Sequence, residues 1–395
     1  MLRQVAVIGC GMTKFGRHDG KTLLEIMVEA SLRAIDDAKI GERDVDAVYV
    51  STMLSGELSN QTALGSALVD QLGLMPAAAH RLENGPASGG SAVKNACMAV
   101  ASGFCDLVLV TGGEKMRHIS GDRITDLIST MVHPTAEYVH GVTLPALAAM
   151  FTRLYMHRYG LKREHLAKVA IKNHANALKN PYAHIHQPIT IEGILYAKEA
   201  EVNNPLVADP LRLFDCCPVT DGAASVVLCA AEIAKEFCDT PVIVAGLGQA
   251  TDTLAVHERE DPTLLKAVQV ASQKAFKMAK LTPADMDLAE LHDAFTILEI
   301  AESEDSGFFA KGTGHKALEE DVTSLGGKLP INPSGGLKAR GHPVGATGVA
   351  QIVELTWQLR GEAGGRQVQG AEKAYCCNFG GFGNNVISFV LTRRN

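Results

Sequence analysis

Apolar residues recur along this chain in two patterns, short continuous runs and longer stretches with helical spacing. The run Gln4–Gly9 (QVAVIG) predicts a buried strand that ends in a glycine turn. Thr22–Lys39 places leucines and alanines on one helical stripe, which predicts an amphipathic helix. Val45–Ser51 (VDAVYVS) then predicts a second strand. The order strand, helix, strand is typical of an α/β fold with helices on the faces of a sheet.

The same unit returns in the second half of the chain. The residues from Thr22 (TLLEIMVEASLRAIDDAKIGERDVDAV) align without gaps with those from Thr263 (TLLKAVQVASQKAFKMAKLTPADMDLA). A predicted strand, Pro241–Gly246, precedes the second copy. A colinear series of identities is more than two unrelated α/β units commonly share. We therefore predict a tandem duplication, with an N-terminal half at residues 1–240 and a C-terminal half at 241–395.

Residues from about 117 to 213 interrupt this pattern and hold most of the histidines and aromatic residues. Helical spacing predicts helices at Leu144–Tyr159 and Arg163–Leu178. We expect this segment to be an insertion that lies over the sheet and closes on a ligand. The other predicted elements are helices at Gln61–Leu72 and from about Ser88, and strands at Cys105–Met116 and Ala224–Leu228.

Candidate chemistry centres on the glycine-rich stretch Ile331–Gly348 (INPSGGLKARGHPVGATG), which surrounds His342. Pro343 is expected at the first position of the following helix, where its missing N–H has no intrahelical partner to lose. Unpaired N–H groups at that helix start would favour an oxyanion or enolate formed beside a base. The alternative is a plain glycine-proline connector with an incidental histidine.

Three predicted strand ends carry Pro86, His292 and His342, and a further glycine-rich turn follows at Asn378–Gly383. Ligand sites in open α/β sheets lie at the carboxyl ends of strands. We therefore expect these four segments to converge on one site.

Composition narrows the class of protein. The 395 residues, of which 46% are hydrophobic and 38 are glycine, are typical of a soluble α/β enzyme. A formal charge of −7 argues against a nucleic-acid partner. We expect no membrane span, since no apolar run approaches about 18 residues, and no signal peptide, which together predict a cytoplasmic protein. The nine cysteines include no CxxC pair, so we expect reduced thiols and no metal site.

The motifs NPSGGLKARGHPVGATG, LHDAF, PLRLFDCCPVTDGAASVVL, ENGPASGG and NFGGFG together resemble the thiolase superfamily along nearly the whole chain. The resemblance is greatest to the archaeal and sterol-carrier-protein-x-type branch, which has HDAF or HDCF where many bacterial thiolases have NEAF. It implies a duplicated five-layer αβαβα fold, a homodimer, and an acyl-CoA bound beneath the insertion. It also implies a possible small OB-fold subunit with a zinc ribbon, and no cofactor other than coenzyme A as substrate or product.

The same resemblance assigns roles to site residues. His342 matches the histidine that activates a cysteine nucleophile and helps to hold the thioester oxygen, and His292 matches the residue that orients a water for that oxyanion hole. Asp293 is expected to be a structural anchor. Asn378 stands where the family often has a cysteine that acts as a second acid and base. Gly380 could still donate a backbone N–H there.

The departure from the family pattern lies at the nucleophile. Thiolases have E-x-x-C-A-S-G-G where this chain has Glu83–Gly90 (ENGPASGG), so Pro86 occupies the position of the cysteine and offers neither thiolate nor N–H. Loss of one oxyanion donor costs about 10²–10³ in rate. Cys377 is the alternative thiol, but alternation along a strand should turn it away from the site. Cys97 lies too far along a helix, and Ser88 is expected to cap that helix.

Two functions are consistent with these residues. The first is an enzyme that makes or breaks the Cα–Cβ bond of a 3-oxo- or 3-hydroxyacyl-CoA, by thiolytic acyl transfer or retro-aldol cleavage, with no acyl-enzyme at the usual cysteine position. Such an enzyme would serve lipid or aromatic-acid degradation. The second is a catalytically silent CoA-binding or scaffold subunit. The insertion carries Met131, Met150, Phe151, Tyr155 and Tyr159, which either line an acyl pocket or form ordinary core.

Overall fold

A computed structural model describes residues 2–41, 45–196 and 203–393. The strands are β1 Val5–Met12, β2 Ala47–Ser51, β3 Ala78–Leu82, β4 Leu107–Glu114, β5 Leu206–Ala208, β6 Leu211–Arg212, β7 Gly222–Ala230, β8 Val242–Thr251, β9 Leu288–Glu290, β10 Lys373–Gly380 and β11 Asn385–Arg393. The helices are α1 Leu23–Asp37, α2 Ser55–Ser59, α3 Leu64–Gln71, α4 Ser88–Ser102, α5 Gly121–Ser129, α6 Leu144–Tyr159, α7 Arg163–Ala177, α8 Ile191–Leu195, α9 Lys266–Ala279, α10 Thr296–Asp305, α11 Gly314–Glu319 and α12 Thr347–Arg360.

Nine of these strands form one mixed sheet in the order β3-β2-β4-β7-β1-β8-β11-β10-β9. β2 runs parallel to β3 and β4, while β7 runs antiparallel to β4 and β1. In the second half, β11 runs antiparallel to β8 and β10, and β10 runs parallel to β9. The halves join where β1 pairs with β8. The predicted boundary between residues 240 and 241 lies in the connection from β7 to β8.

The helices divide into layers around the two half-sheets. α4 and α12 contact each other and strands of both halves, so they form a central helical layer. α1 packs on the other face of β1, β4 and β7, and α9 packs on β8 and β11. The result is the five-layer αβαβα arrangement expected from the sequence.

The internal repeat is visible in how each outer helix packs on its strand. A Cβ at Gly11 of β1 would overlap the carbonyl oxygen of Ala30 in α1, and one at Gly248 of β8 would overlap that of Ala271 in α9. Glycine is needed at both strand positions because the helix backbone passes so close to the strand. Ala30 and Ala271 occupy equivalent places in the aligned repeats, and the two copies therefore share their packing as well as their sequence.

Two aspartates make the same contact in each half. Asp46 accepts hydrogen bonds from two backbone N–H groups at the start of β4, at 2.7 and 3.0 Å. Asp287, its counterpart in the repeat, accepts from two backbone N–H groups at the start of β10, at 2.8 Å each. The identities in the alignment therefore include residues that fix the strands which end at the site.

Two local expectations were wrong. α12 begins at Thr347, not at Pro343, whose carbonyl accepts the N–H groups of Ala346 (2.9 Å) and Thr347 (3.0 Å) in a preceding turn. That turn is pressed against the ends of β2 and β4, since a Cβ at Gly345 would lie 2.6 Å from the carbonyl oxygen of Gly113. The tight contact holds residues 344–346 out of the helix.

Ser88 was expected to cap α4, but the N-cap residue is Ala87. The Ser88 hydroxyl donates to the Gly85 carbonyl (2.5 Å) and accepts the N–H of Asn84 (2.8 Å). It therefore fastens the turn before α4, in which Gly85 has φ +54°. No helix in the described part of the chain is long and apolar enough to cross a membrane.

Candidate active site

The four segments singled out in the sequence converge at one cavity, as expected. Pro86 lies in the turn between β3 and α4, His292 follows β9, and His342 lies in the turn before α12. These three residues line the cavity together with Phe379 and Gly381 at the end of β10. The cavity has an empty volume of about 860 Å³, including its mouth.

The ring of His342 is held by the first residue of α12. Its Nδ1 lies 2.7 Å from the Thr347 hydroxyl, which donates its one proton to the Pro343 carbonyl (3.1 Å). With the hydroxyl proton directed to the Pro343 carbonyl, we assign the Nδ1–H of His342 as donor to that hydroxyl, an assignment that leaves Nε2 with a free lone pair. Burial, aided by the positive charge of Arg340, lowers the pKa of His342 to about 3. The imidazole is neutral at pH 7 and can accept a proton.

His292 has the opposite tautomer because of Asn378. The Asn378 amide oxygen accepts the N–H of Gly90 (2.9 Å), so its NH₂ group faces the Pro86 carbonyl (3.1 Å) and the Nδ1 of His292 (3.3 Å). An acceptor at Nδ1 places the ring proton of His292 on Nε2. Burial, followed by repulsion from His342 and Arg340, lowers the pKa of His292 well below its usual value. This ring is also neutral, and its free nitrogen is a hydrogen-bond donor.

The two imidazoles therefore have complementary functions at one place. Their ring centroids are 4.9 Å apart and their planes meet at 88°. Among the described residues, none hydrogen-bonds the Nε2 atom of either ring. The cavity thus presents one neutral base, His342, beside one neutral donor, His292. This pairing suits a reaction in which a proton leaves the substrate while negative charge grows on a nearby oxygen.

Asp293 is a structural anchor, as predicted. Its carboxylate accepts the N–H groups of Leu337 (2.6 Å) and Lys338 (3.3 Å) and the side-chain amide of Asn173 (2.7 Å). Those N–H groups belong to the single π-helical turn Gly336–Arg340, which leads into His342. Burial, followed by repulsion from the Glu299 carboxylate, raises the pKa of Asp293 to about 7.

A buried ion pair lies behind His342. Arg340 and Glu290 are fully buried, with Nη1 and Oε2 separated by 3.2 Å, and Glu290 also accepts the Ser334 hydroxyl at 2.8 Å. The pair joins the end of β9 to the segment that carries His342. Neither residue is among those that the sequence motifs predicted for the site. The arginine inside the glycine-rich stretch was the available signal.

Comparison with known protein families shows which family the chain belongs to. The model of the thiolase N-terminal domain matches residues 5–232, and the model described as thiolase C-terminal domain-like matches residues 248–393. The chain belongs to the thiolase family. The family predicted from the sequence motifs is therefore confirmed, and so is the duplicated thiolase fold.

Several relatives in this family cover the chain almost completely. It is 46% identical to an acetyl-CoA acetyltransferase of Methanothermobacter thermautotrophicus, over 99% of this chain and 100% of that protein. It is 33% identical to human sterol carrier protein 2, over 98% of this chain and 72% of the relative.

Among solved structures, an Ltp2-ChsH2(DUF35) aldolase has a TM-score of 0.83 and 26% identity, covering 100% of this chain and 99% of the other. Human mitochondrial 3-ketoacyl-CoA thiolase in complex with CoA has a TM-score of 0.73 and 18% identity, covering 100% and 98%. The latter similarity shows the fold alone.

The cavity wall includes two thiols that were not among the nucleophiles predicted from the sequence. Cys377 faces away from the cavity, as predicted: it is fully buried beside Tyr375, and burial raises its pKa far above the usual range. Cys216 and Cys217, however, line the cavity. The N–H of Cys217 donates to the Ala294 carbonyl (2.9 Å), which holds the pair beside the segment that carries His292. Burial raises the pKa of Cys217 to about 12 and also raises that of Cys216, so neither is a ready thiolate.

Gly380, the predicted backbone donor, lies close to the cavity but does not line it. Gly380 packs against the turn before Pro86, since a Cβ there would lie 2.9 Å from the Asn84 carbonyl, but Gly381 is the glycine in the cavity wall. The role of Gly380 as an oxyanion donor stays a prediction.

The insertion does reach the cavity. α5 and the start of α6 contribute to its wall, as does Met131. Met150 is exposed, and Phe151 and Tyr155 belong to the hydrophobic core instead. Tyr159 packs at the edge of that core.

Proposed function

We propose that this chain is a thiolase-like enzyme that makes or breaks the Cα–Cβ bond of an acyl-CoA without forming an acyl-enzyme at position 86, and that its preferred chemistry is aldol-type cleavage of a 3-hydroxyacyl-CoA. The observation that carries the proposal is the pair of tautomers at the cavity, with His342 as base and His292 as donor. The expected class, an acyltransferase or aldol-type lyase of the thiolase superfamily, is confirmed by the relatives. The choice of reaction is the proposal.

The geometry supports a short mechanism. Nε2 of His342 accepts the proton of the 3-hydroxyl group as the oxygen becomes a carbonyl. The Cα–Cβ bond breaks, and its electrons form the enolate of the thioester that remains on CoA. Nε2–H of His292 donates to the enolate oxygen, where the charge develops. The proton held by His342 then returns to Cα, which releases a shortened acyl-CoA and an aldehyde or ketone.

Pro86 supports this choice over the ordinary thiolase route. The family pattern places the nucleophilic cysteine at this position, and proline provides neither the thiol nor the backbone N–H. Pro86 retains one function, since its carbonyl helps to orient the Asn378 amide. Asn378 in turn replaces a thiol that often acts as a second acid and base in the family. The resemblance thus implies that the chain has no thiol at either of two positions that take part in the thiolytic cycle.

Thiolytic acyl transfer from a 3-oxoacyl-CoA is the second candidate reaction. The relatives named acetyl-CoA acetyltransferase favour it. It requires direct attack by CoA or a relocated cysteine, for which the cavity offers Cys216 and Cys217 rather than Cys377. A catalytically silent scaffold gains no support from a site in which each histidine has a fixed tautomer and an open ring nitrogen.

The proposal also covers the oligomeric state, a second subunit and the cellular location. β3 lies at one edge of the nine-stranded sheet and is largely exposed, which supports a homodimer formed along that edge. Similarity to the Ltp2-ChsH2(DUF35) aldolase supports a second, smaller subunit, in keeping with the OB-fold zinc-ribbon partner expected from the sequence. A cytoplasmic location and a function in lipid or aromatic-acid degradation, with no cofactor beyond CoA itself, stay predictions.

The test compares matched 3-hydroxyacyl-CoA and 3-oxoacyl-CoA substrates on the purified protein, alone and with any co-purifying subunit. Products are followed by liquid chromatography and mass spectrometry, and the protein by intact mass. We expect an aldehyde or ketone and a shortened acyl-CoA from the 3-hydroxy substrate, with no acyl adduct on the protein. Cleavage of only the 3-oxo substrate, with an acyl group on Cys216, Cys217 or Cys377, would contradict the aldol proposal.

A further inference from the structure

The hydrogen-bonded ladder between β9 and β10 ends just before the residues that the two strands bring to the site. Its last register pair is Cys376–Glu290. Beyond that pair, the backbone N–H of His292 donates to the Glu302 carboxylate at 2.9 Å instead of to β10. The ladder therefore does not connect the two strands directly at the point where one leads into His292 and the other into Asn378.

Gln351, on α12, bridges the two strands at this point. Its NH₂ group donates to the Glu290 carbonyl on β9 (3.3 Å) and to the Cys377 carbonyl on β10 (2.9 Å). The two carbonyls fix the orientation of the amide, because only its NH₂ end can donate. The residue is fully buried, and its Oε1 atom has no partner among the described residues. The two donated hydrogen bonds are therefore the polar contacts of this side chain.

The bridge lies beside both partners of the hydrogen bond that orients His292. Glu290 precedes His292 by two residues, and Cys377 directly precedes Asn378. The Nδ2 atom of Asn378 and the Nδ1 atom of His292 are 3.3 Å apart, which is already long for a hydrogen bond. A small separation of the two strand ends would therefore break this bond.

We propose that Gln351 is a positioning residue, whose side-chain amide holds the ends of β9 and β10 together and thereby keeps the His292 ring in contact with Asn378. This inference rests on the proposed function, since it concerns how the proposed donor is aligned with the enolate oxygen. Gln351 is not among the residues that line the cavity, so it acts on the substrate through the two strand ends. Misplacement of a catalytic group by about 1 Å can cost about 10² in rate.

Gln351→Met removes both donated hydrogen bonds and nearly keeps the length of the side chain. Gln358→Met is the matched control, because Gln358 is equally buried about two turns further along α12 and donates to Glu354 (3.0 Å) and to the Arg366 carbonyl (2.9 Å). Thermal unfolding should show a similar loss of stability in the two variants. With the 3-hydroxyacyl-CoA, kcat should fall about 10- to 100-fold at unchanged KM in Gln351→Met and stay near the wild-type value in Gln358→Met.

Nitrogen NMR of protein labelled with ¹⁵N-histidine reports on the ring directly and without turnover. The signals of His292 are identified by their absence from His292→Ala. The Nδ1 signal should move in Gln351→Met, because that nitrogen loses the hydrogen bond from Asn378, and should keep its wild-type position in Gln358→Met. If Gln351→Met does not fold, Gln351→Asn takes its place, since its shorter side chain keeps the amide but cannot reach both carbonyls.

Equal losses of kcat in the Gln351 and Gln358 variants, or an unmoved Nδ1 signal in the Gln351 variant, would refute the positioning function. If the signal moves but the wild-type protein does not cleave the 3-hydroxyacyl-CoA, the proposed reaction is wrong and the function of Gln351 in holding His292 stands. If cleavage occurs and the signal does not move, the reaction stands and the inference about Gln351 is wrong.

Discussion

Thr347→Val is the substitution that addresses the proposed chemistry most directly. In the assigned tautomer, the Thr347 hydroxyl accepts the Nδ1–H of His342 at 2.7 Å and donates a hydrogen bond to the Pro343 carbonyl at 3.1 Å. Valine keeps the branched shape but removes the acceptor. The Nδ1–H would then be buried without a partner, so the imidazole would favour the tautomer with its proton on Nε2. That tautomer has no lone pair where the substrate proton must arrive.

The magnitude follows from the cost of that unpaired group. Leaving a buried donor unsatisfied costs about 1–3 kcal/mol, and about 1.4 kcal/mol corresponds to a tenfold change in rate. We therefore expect kcat/KM for the 3-hydroxyacyl-CoA to fall about 10- to 100-fold. Affinity for CoA itself should stay near the wild-type value, because the lost interaction acts on the proton transfer and not on CoA binding.

Two control variants separate this effect from a general loss of stability. Thr347→Ser keeps the hydroxyl and should retain most of the activity. Thr356→Val removes another buried hydroxyl of the same helix, which donates to the Ile352 carbonyl at 2.8 Å far along α12 from His342. Thermal unfolding of all three variants reports stability. A Thr347→Val enzyme as active as Thr356→Val would refute the assignment of His342 as the base.

Three further predictions follow from the same site. His342→Ala should abolish turnover while CoA still binds by calorimetry; turnover at the wild-type rate would exclude its catalytic function. The pKa of His342 is lowered to about 3 in the folded protein, from an ordinary value near 6.5. As the pH falls, the imidazole is therefore protonated in the unfolded chain before it is protonated in the folded one. The contribution of His342 to the free energy of unfolding should be complete above about pH 6.5 and should be lost as the pH falls toward 3. His342→Gln should flatten that part of the plot of unfolding free energy against pH. Arg340→Met should destabilise the fold by about 3–5 kcal/mol in denaturant unfolding, because it leaves the buried Glu290 unpaired, whereas the double variant with Glu290→Leu should recover part of the loss.

The layered fold could be predicted from the sequence because each repeat encodes its own packing. Glycine in the strand and alanine in the helix are required together, since the backbone of α1 passes over Gly11 as that of α9 passes over Gly248. That requirement recurs in the second half, where the helical stretch from Thr263 repeats the one from Thr22 without gaps. The amphipathic stripe and the Thr22 cap likewise fix α1 from neighbouring residues alone. These signals depend on residues close in sequence.

The cavity thiols could not be predicted in this way. Cys216 and Cys217 reach the site because the chain at 217 hydrogen-bonds to the Ala294 carbonyl, a contact across more than seventy residues that leaves no periodic pattern. The start of α12 was misjudged for a related reason. Pro343 suits a first helical position, but the close contact of Gly345 with Gly113 holds the next residues in a turn. In both cases, tertiary contacts overrode local preference.

The function of Pro86 depends on the residues that its backbone contacts. The two neutral imidazoles near it carry the proposed chemistry through their opposite tautomers. Here Thr347 fixes one ring as an acceptor, and Asn378, oriented by the Gly90 N–H and the Pro86 carbonyl, fixes the other as a donor. Pro86 thus takes part in the hydrogen bonding that makes His292 a donor, although it provides no thiol. A carbon–carbon bond that breaks toward a thioester enolate needs only such a base and such a donor, which is why we place the chemistry on the two histidines.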